Sequence, residues 1–215
     1  MSKLEFIKVC GLSTVDAIDA VIEGRATHAG FIFFEKSPRH VSLEKARALF
    51  DHAKNRILRV AVTVDAEDQF LEDLTTSTDP DFLQLHGSES LDQVQKIKQR
   101  FGLPIIKVFS VHTSDDLEKA RPYFGVADHI MFDAKAPKGS EIPGGNGVAF
   151  DWSLMDQWPT SMPYILSGGL SAQNIRGALN QTGTKMIDVS SGVESSPGAK
   201  EPDMIHEFLA GLNQD

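Results

Sequence analysis

Four short apolar runs carry, near their ends, side chains able to move protons: Phe6-Ile7-Lys8-Val9-Cys10, Phe82-Leu83-Gln84-Leu85-His86, His129-Ile130-Met131-Phe132-Asp133 and Met186-Ile187-Asp188-Val189. A fifth, Ile105-Ile106-Lys107-Val108-Phe109, holds a lysine at its centre. A thiol, an imidazole, amines and carboxyl groups are the equipment of general acid–base and nucleophilic catalysis. In extended chain, side chains alternate between two faces. If Ile7 and Val9 point one way, Lys8 and Cys10 point the other. The same phase sets Gln84 and His86 against Leu83 and Leu85, Asp133 against Ile130 and Phe132, and Asp188 against Ile187 and Val189, and it puts Lys107 in the same polar row. Each residue alone has a plain structural explanation: Cys10 a small core residue, His86 a hydrogen-bonded core histidine, Lys107 and Asp133 a buried ion pair. Uncompensated polar groups are costly to bury, so their convergence on one face points instead to a reaction site.

The elements that must position this row recur along the chain. Residues 6–10, 29–34, 58–63, 82–86, 105–109, 129–133, 163–167 and 186–190 read as strands, and their starts lie 23 to 34 residues apart, the size of a strand, a helix and two loops. Ser13-Thr14-Val15-Asp16 offers a helix N-cap ahead of an Ile18, Val21, Ile22 stripe; Leu91, Val94 and Ile97 repeat the pattern, and 203–212 reads as a last helix. Eight such units predict an α/β fold, a single (β/α)8 TIM barrel filling residues 1–215 as one catalytic domain, whereas a doubly wound sheet usually stops at five or six strands. The 215 residues, 41% of them hydrophobic, suffice for one such core. In a barrel the polar row faces the axis, and the C-terminal strand ends open onto the site.

Two small-residue turns follow the last two strands: Ser167-Gly168-Gly169-Leu170 and Ser190-Ser191-Gly192. Glycines let backbone N–H groups approach an anion, and the loops after strands seven and eight are where many barrels hold phosphate. Residues 134–152, with four glycines and two prolines, exceed what a short connection needs and suit a lid over the site or a solvated excursion. The formal net charge of −9 disfavours a nucleic acid or anionic membrane as partner, so an anionic small-molecule substrate must be held by local groups. A single cysteine excludes an intrachain disulfide and a multi-cysteine zinc site, and fits a reducing cytoplasm. No apolar run reaches the ~18 residues of a membrane helix, and the first residues lack a signal-peptide pattern, so a cytoplasmic protein, monomer or weak homodimer, is expected.

The ordered motifs resemble the phosphoribosylanthranilate isomerase family over essentially the whole chain. Lys8-Val9-Cys10-Gly11-Leu12 is similar to its first-strand signature, Gly30-Phe31-Ile32-Phe33 with Ser37-Pro38-Arg39 to its second, and Gln84-Leu85-His86-Gly87 with Glu89 to its fourth. Phe132-Asp133-Ala134-Lys135, Gly144-Gly145, Phe150-Asp151-Trp152, Leu166 to Leu170 and Asp188 to Glu194 complete the set. Asn146 departs from the family, which usually has Thr or Ser there. The resemblance implies a cofactor-free and metal-free isomerase of tryptophan biosynthesis, converting an aminoaldose to an aminoketose by Amadori rearrangement. It implies Cys10 as general base and Asp133 as general acid, with Lys8, Arg39, His86, Lys107 and Asp188 around the substrate; Gly145 joins Gly168, Gly169, Ser190, Ser191 and Gly192 at the phosphate. The acid needs a raised pKa and the base a lowered one, the latter expected from Lys8 on the same strand face. Arg39 suits the anthranilate carboxylate by planar bidentate geometry.

Three other readings compete. A metal-dependent sugar-phosphate epimerase would need several strand-end histidines, and only His86 qualifies; His28, His40, His52, His112 and His206 are assigned to loops or helices, and His129 starts its strand. A Schiff-base aldolase would act through Lys107. A non-catalytic phosphate-binding protein would need none of the acid–base set.

Overall fold

In the computed structural model, which describes residues 3–134, 144–145, 147 and 149–212, the alternating runs form eight parallel strands. They are β1 (Phe6–Cys10), β2 (His28–Phe33), β3 (Leu58–Thr63), β4 (Phe82–Leu85), β5 (Ile105–Val111), β6 (His129–Ala134), β7 (Tyr164–Leu166) and β8 (Met186–Val189). They hydrogen-bond in chain order and β8 closes onto β1, giving a barrel. At that seam Lys8 lies in register with Asp188 on one side and with His28 of β2 on the other.

Helices return the chain on the outside: α1 (Val15–Glu23), α2 (Leu43–Ala53), α3 (Asp68–Thr78), α4 (Leu91–Phe101), α5 (Ser114–Glu118), α6 (Ile175–Thr182) and α7 (Pro202–Leu212). Their starts follow the cap signals. The Thr14 hydroxyl accepts from the Ala17 N–H, and Ser90 and Gln93 form a reciprocal capping box on α4. The sixth unit differs from the regular pattern: among the described residues, β6 and β7 are joined through a six-residue 3-10 turn, Trp152–Gln157, and no α-helix. Residues 135–143 and Asn146 of its long loop lie outside the described residues. After β8 the chain makes a single 3-10 turn, Ser191–Val193, and a small antiparallel hairpin, β9 (Glu194–Ser196) with β10 (Ala199–Lys200). No helix among the described residues is long and apolar enough to cross a membrane.

Two apolar layers follow from the period of two. Val9, Phe31, Leu83, Ile105, Phe132 and Ile187 pack against the helices, while Phe6, Val60, Val62, Ile106, Val108, Met131 and Ile165 fill the barrel. This corrects the expectation for β5. Ile106 and Val108 face the axis, so Lys107 shares the outer face with Ile105. The strand is apolar on both faces, and neither face could be told from the other by composition.

The lower end of the barrel is stopped by rings. His28 opens β2 rather than lying in a loop, and its imidazole stacks on Phe6 at 3.7 Å; Phe82 and His129 close the cluster. Burial, then the charge of Lys8 and the neighbouring His129, depress the His28 pKa to about 3, against a weak pull from Asp81. A folded-state pKa below the unfolded value near 6.5 means that this stability is fully present above 6.5 and drains as pH falls toward 3. Between pH 6.5 and 5 the loss amounts to about 2 kcal/mol. His28→Phe keeps a ring on Phe6 and removes the proton site, so on going from pH 7 to pH 5 in urea titrations the unaltered protein should lose about 2 kcal/mol more than the variant. Equal losses would mean that this histidine titrates normally.

Candidate active site

Where the strands end, their inward residues surround a cavity lined by Cys10, Arg39, Gln84, His86, Asp133 and Asp188 among others. Ser167, Gly168, Gly169, Ser190 and Ser191 form one side of it, and Gly144 and Gly145 meet it from the sixth loop. The structure thus brings together most of the residues singled out from the sequence. Lys8 is fully buried one layer below, its Nζ 2.7 Å from Asp188 Oδ1. Gly192 stands behind the wall, where a Cβ would lie 1.9 Å from the Leu170 carbonyl oxygen. Only glycine fits there, where the eighth loop packs on the seventh.

Lys107 is not part of this cavity. Its ammonium points to the helix side of the sheet and pairs with Glu89 at 3.0 Å, which removes the Schiff-base reading and the proposed pair with Asp133.

Asp133 is the penultimate residue of β6, with 5% of its surface exposed. Its Oδ1 accepts from the Ala134 N–H at 2.9 Å. His86 Nε2 approaches Oδ2 at 3.5 Å, a contact rather than an ion pair, because burial first, then the charges of Lys107 and Lys8, lower the imidazole to about 3 and leave it neutral. The Ser167 hydroxyl donates to Asp188 Oδ2 at 3.2 Å and stands between the two carboxylates. Burial, followed by the negative charge of Asp188, pushes Asp133 up to about 7, against the Ala134 N–H, Lys8 and Ser167. The backbone of the sixth loop completes that burial. A Cβ on Gly144 would fall 2.4 Å from Asp133 Oδ2 and 2.6 Å from His86 Cε1, so only glycine lets the chain lie on the pair.

Cys10 ends β1, and the Ser190 hydroxyl donates to its carbonyl oxygen at 3.0 Å. Burial pushes its thiol above the ordinary value; Lys8 pulls it down, Asp188 pushes it up again, and Lys200 pulls it down. The net direction is upward, which corrects the expectation that Lys8 alone would lower it. Lys8 keeps its charge: burial disfavours the ammonium, but Asp188 and Cys10 outweigh burial and raise its pKa.

Two charged neighbours of Arg39 had no role assigned from the sequence, although Glu194 closes the last motif. Glu194 grips Arg39 bidentately, accepting from Nε at 2.7 Å and Nη2 at 2.8 Å, and also pairs with Lys200. Lys200 in turn donates to the Ser190 carbonyl at 2.9 Å. Burial opposes the charge on Glu194, yet the hydrogen bond from Arg39 and the charge of Lys200 hold it below its usual value. Two cations against one carboxylate leave a local positive charge at the mouth of a protein whose net charge is −9. Arg39 Nη2 also donates to the Gly145 carbonyl at 3.1 Å, which ties the sixth loop to the second. Among the described residues, no three His, Cys, Asp or Glu side chains are grouped to hold a metal ion.

Comparison with known proteins points to one family. Residues 7–210 match a family model described as N-(5'-phosphoribosyl)anthranilate (PRA) isomerase. An N-(5'-phosphoribosyl)anthranilate isomerase of Rhizobium leguminosarum bv. trifolii is 51% identical over 208 residues, covering 97% of this chain and 94% of that protein. The crystal structure of phosphoribosyl anthranilate isomerase from Thermotoga maritima is similar with a TM-score of 0.86 at 33% identity, over 96% of this chain and 98% of that one. A crystal structure of such an isomerase in complex with reduced 1-(o-carboxyphenylamino)-1-deoxyribulose 5-phosphate gives a TM-score of 0.84 at 31% identity, over 96% and 97% of the two chains.

The raised affinity of Asp133 for its proton opposes folding at neutral pH. Its folded value of about 7 exceeds the unfolded value near 3.9, so its favourable contribution is intact below pH 4 and is lost as pH rises toward 7. Asp133→Asn should therefore unfold at higher urea concentration than the unaltered protein at pH 8, by about 4 kcal/mol, with the gap closing toward pH 4. A variant less stable at pH 8 would show that the carboxylate is well accommodated.

Proposed function

The chain belongs to the N-(5'-phosphoribosyl)anthranilate isomerase family and is an isomerase of tryptophan biosynthesis; from that premise we propose that the Cys10 thiolate is its general base and the Asp133 carboxylic acid its general acid. The observation that carries this reading is that both side chains line one cavity at the barrel mouth, with Asp133 pushed up to about 7.

The reaction opens the furanose of an N-glycosylamine and moves a proton from carbon. Asp133 gives its proton to the ring oxygen; the C1'–O bond breaks and the anthranilate nitrogen lone pair forms the C1' iminium. The thiolate of Cys10 then takes the C2' proton, and the electrons of that C–H bond flow to the iminium to give an enolamine, which ketonises to the product. A carboxyl that is half protonated near neutrality suits the first step. Burial makes the thiolate of Cys10 scarce and correspondingly basic, and Lys8 beneath it, together with the new iminium charge, favours the anion when it is needed. A base of this kind works only as a reduced thiol, which fits a cytoplasmic setting.

The substrate's fixed charges have matching walls. Its phosphate lies against the backbone of Gly168, Gly169, Ser190 and Ser191, closed over by Gly145. Its carboxylate meets Nη1 of Arg39, since Nε and Nη2 are held by Glu194 and the Gly145 carbonyl, so the bidentate grip expected from the sequence is taken by Glu194 instead. His86 borders the acid, and Asp188 with Lys8 forms the floor. The surplus positive charge of Arg39 and Lys200 over Glu194 attracts both anions. The barrel works as a monomer or weak homodimer in this reading, because every residue invoked comes from one chain.

Cys10→Ala and Asp133→Asn should each lower kcat by roughly 10²–10⁴-fold while product binding, read by fluorescence titration, changes little. Near-normal turnover by either variant would overturn its assignment.

A further inference from the structure

Glu89 and Lys107 form a buried ion pair that the reaction outlined above does not use, with side chains 5% and 3% exposed. Its partners are unusual for a simple salt bridge. Lys107 Nζ donates to the carbonyl oxygens of Leu85 at 3.3 Å, Gly87 at 2.8 Å and Val108 at 3.1 Å. Leu85 and Gly87 are the two neighbours of His86. Glu89 accepts from the Gly87 N–H through both oxygens, at 3.2 and 3.1 Å, and from the Asp65 N–H at 3.0 Å. Asp65 closes the circuit by accepting from the Ser88 N–H at 2.7 Å. One ammonium and one carboxylate thus fasten the peptide units on either side of His86 to β5 and to the loop after β3.

A buried pair seldom contributes net stability compared with apolar residues of the same size. What it does supply is direction, since each of these backbone groups is fixed by a charge-assisted bond. His86 needs direction: its Nε2 is buried without a hydrogen-bond partner and stands 3.5 Å from Asp133 Oδ2, close enough to limit where that carboxyl can turn. We propose that Lys107 and Glu89 are positioning residues for the acid, holding His86 against Asp133 from the outer side of the sheet. The inference rests on the reading of Asp133 as the general acid.

A double-mutant cycle between the pair and His86 tests it. Lys107→Met combined with Glu89→Gln removes both charges and leaves no orphan ion; Glu89→Asp, which keeps both charges and shortens the reach to the Gly87 and Asp65 N–H groups, takes its place if the combined variant does not fold. If the pair acts through His86, the combined change should lower kcat about tenfold in the His86 enzyme and less than about twofold in a His86→Asn background, with KM shifting less than roughly threefold in both. A general loosening of the barrel would lower kcat by the same factor in the two backgrounds. That additive result, an unchanged kcat in the His86 enzyme, or an unimpaired His86→Asn enzyme would each overturn the proposal. Asp133→Asn assayed alongside separates the two layers. Turnover that survives in it withdraws the acid itself, whereas an inactive Asp133→Asn enzyme with additive pair effects withdraws only the positioning role.

Discussion

Beneath the barrel mouth, Lys8 and Asp188 face each other across the β1–β8 seam at 2.7 Å, both almost wholly out of water. Removing either partner would leave an uncompensated charge in the barrel, a loss of roughly 3–5 kcal/mol. The pair also decides what happens above it. Asp188 repels a second anion and so helps to keep the proton on Asp133, while Lys8 attracts one and eases the formation of a thiolate at Cys10. Opposite effects on two neighbours come from the two ends of one bridge. Burial acts on both groups in the same upward sense; on Asp133 the influence of Asp188 exceeds that of Lys8 and on Cys10 the order is reversed, which suits the acid and base proposed.

The layers of the barrel divide the labour. Rings of Phe6, His28, Phe82 and His129 stop its lower end, apolar side chains fill most of the middle around Lys8, and Cys10, His86, Asp133 and Asp188 stand at the rim. Closure is coupled to chemistry at one point. The backbone of Gly144 lies on Asp133 and His86, and Gly145 is bonded to Arg39, so the sixth loop buries the acid while reaching the arginine proposed to hold substrate. A shift of that loop away from the rim would rehydrate Asp133 and lower its hold on the proton.

The barrel was legible because each strand advertises its period and each connection its length. Thr14 announced α1 and the Leu91, Val94, Ile97 stripe announced α4, and the alternation in residues 82–86 and 186–190 told inner from outer face. Lys107 shows where that logic ends: Ile105, Ile106, Val108 and Phe109 make both faces of β5 apolar, and nothing local reveals the phase. Glu194 and Lys200 were hidden for another reason. Arg39 and Glu194 lie 155 residues apart, and their contact exists only because the chain closes β8 onto β1. The upward direction of the Cys10 thiol was likewise out of reach, since a sequence shows that Lys8 is near but not how much water has been removed. Counting charges gives the sign of one influence. Burial, which proved larger, needs the three-dimensional packing.

The account stands or falls on Asp133 retaining its proton at neutral pH. Carbon-13 NMR titration of enzyme labelled at the aspartate carboxyl carbons, with Asp133→Asn identifying the resonance, reads this directly. A midpoint of about 7 is predicted, as burial and Asp188 require. A midpoint near the ordinary ~3.9 would mean that the carboxyl is ionised throughout the working range, and a general acid at this position would be contradicted.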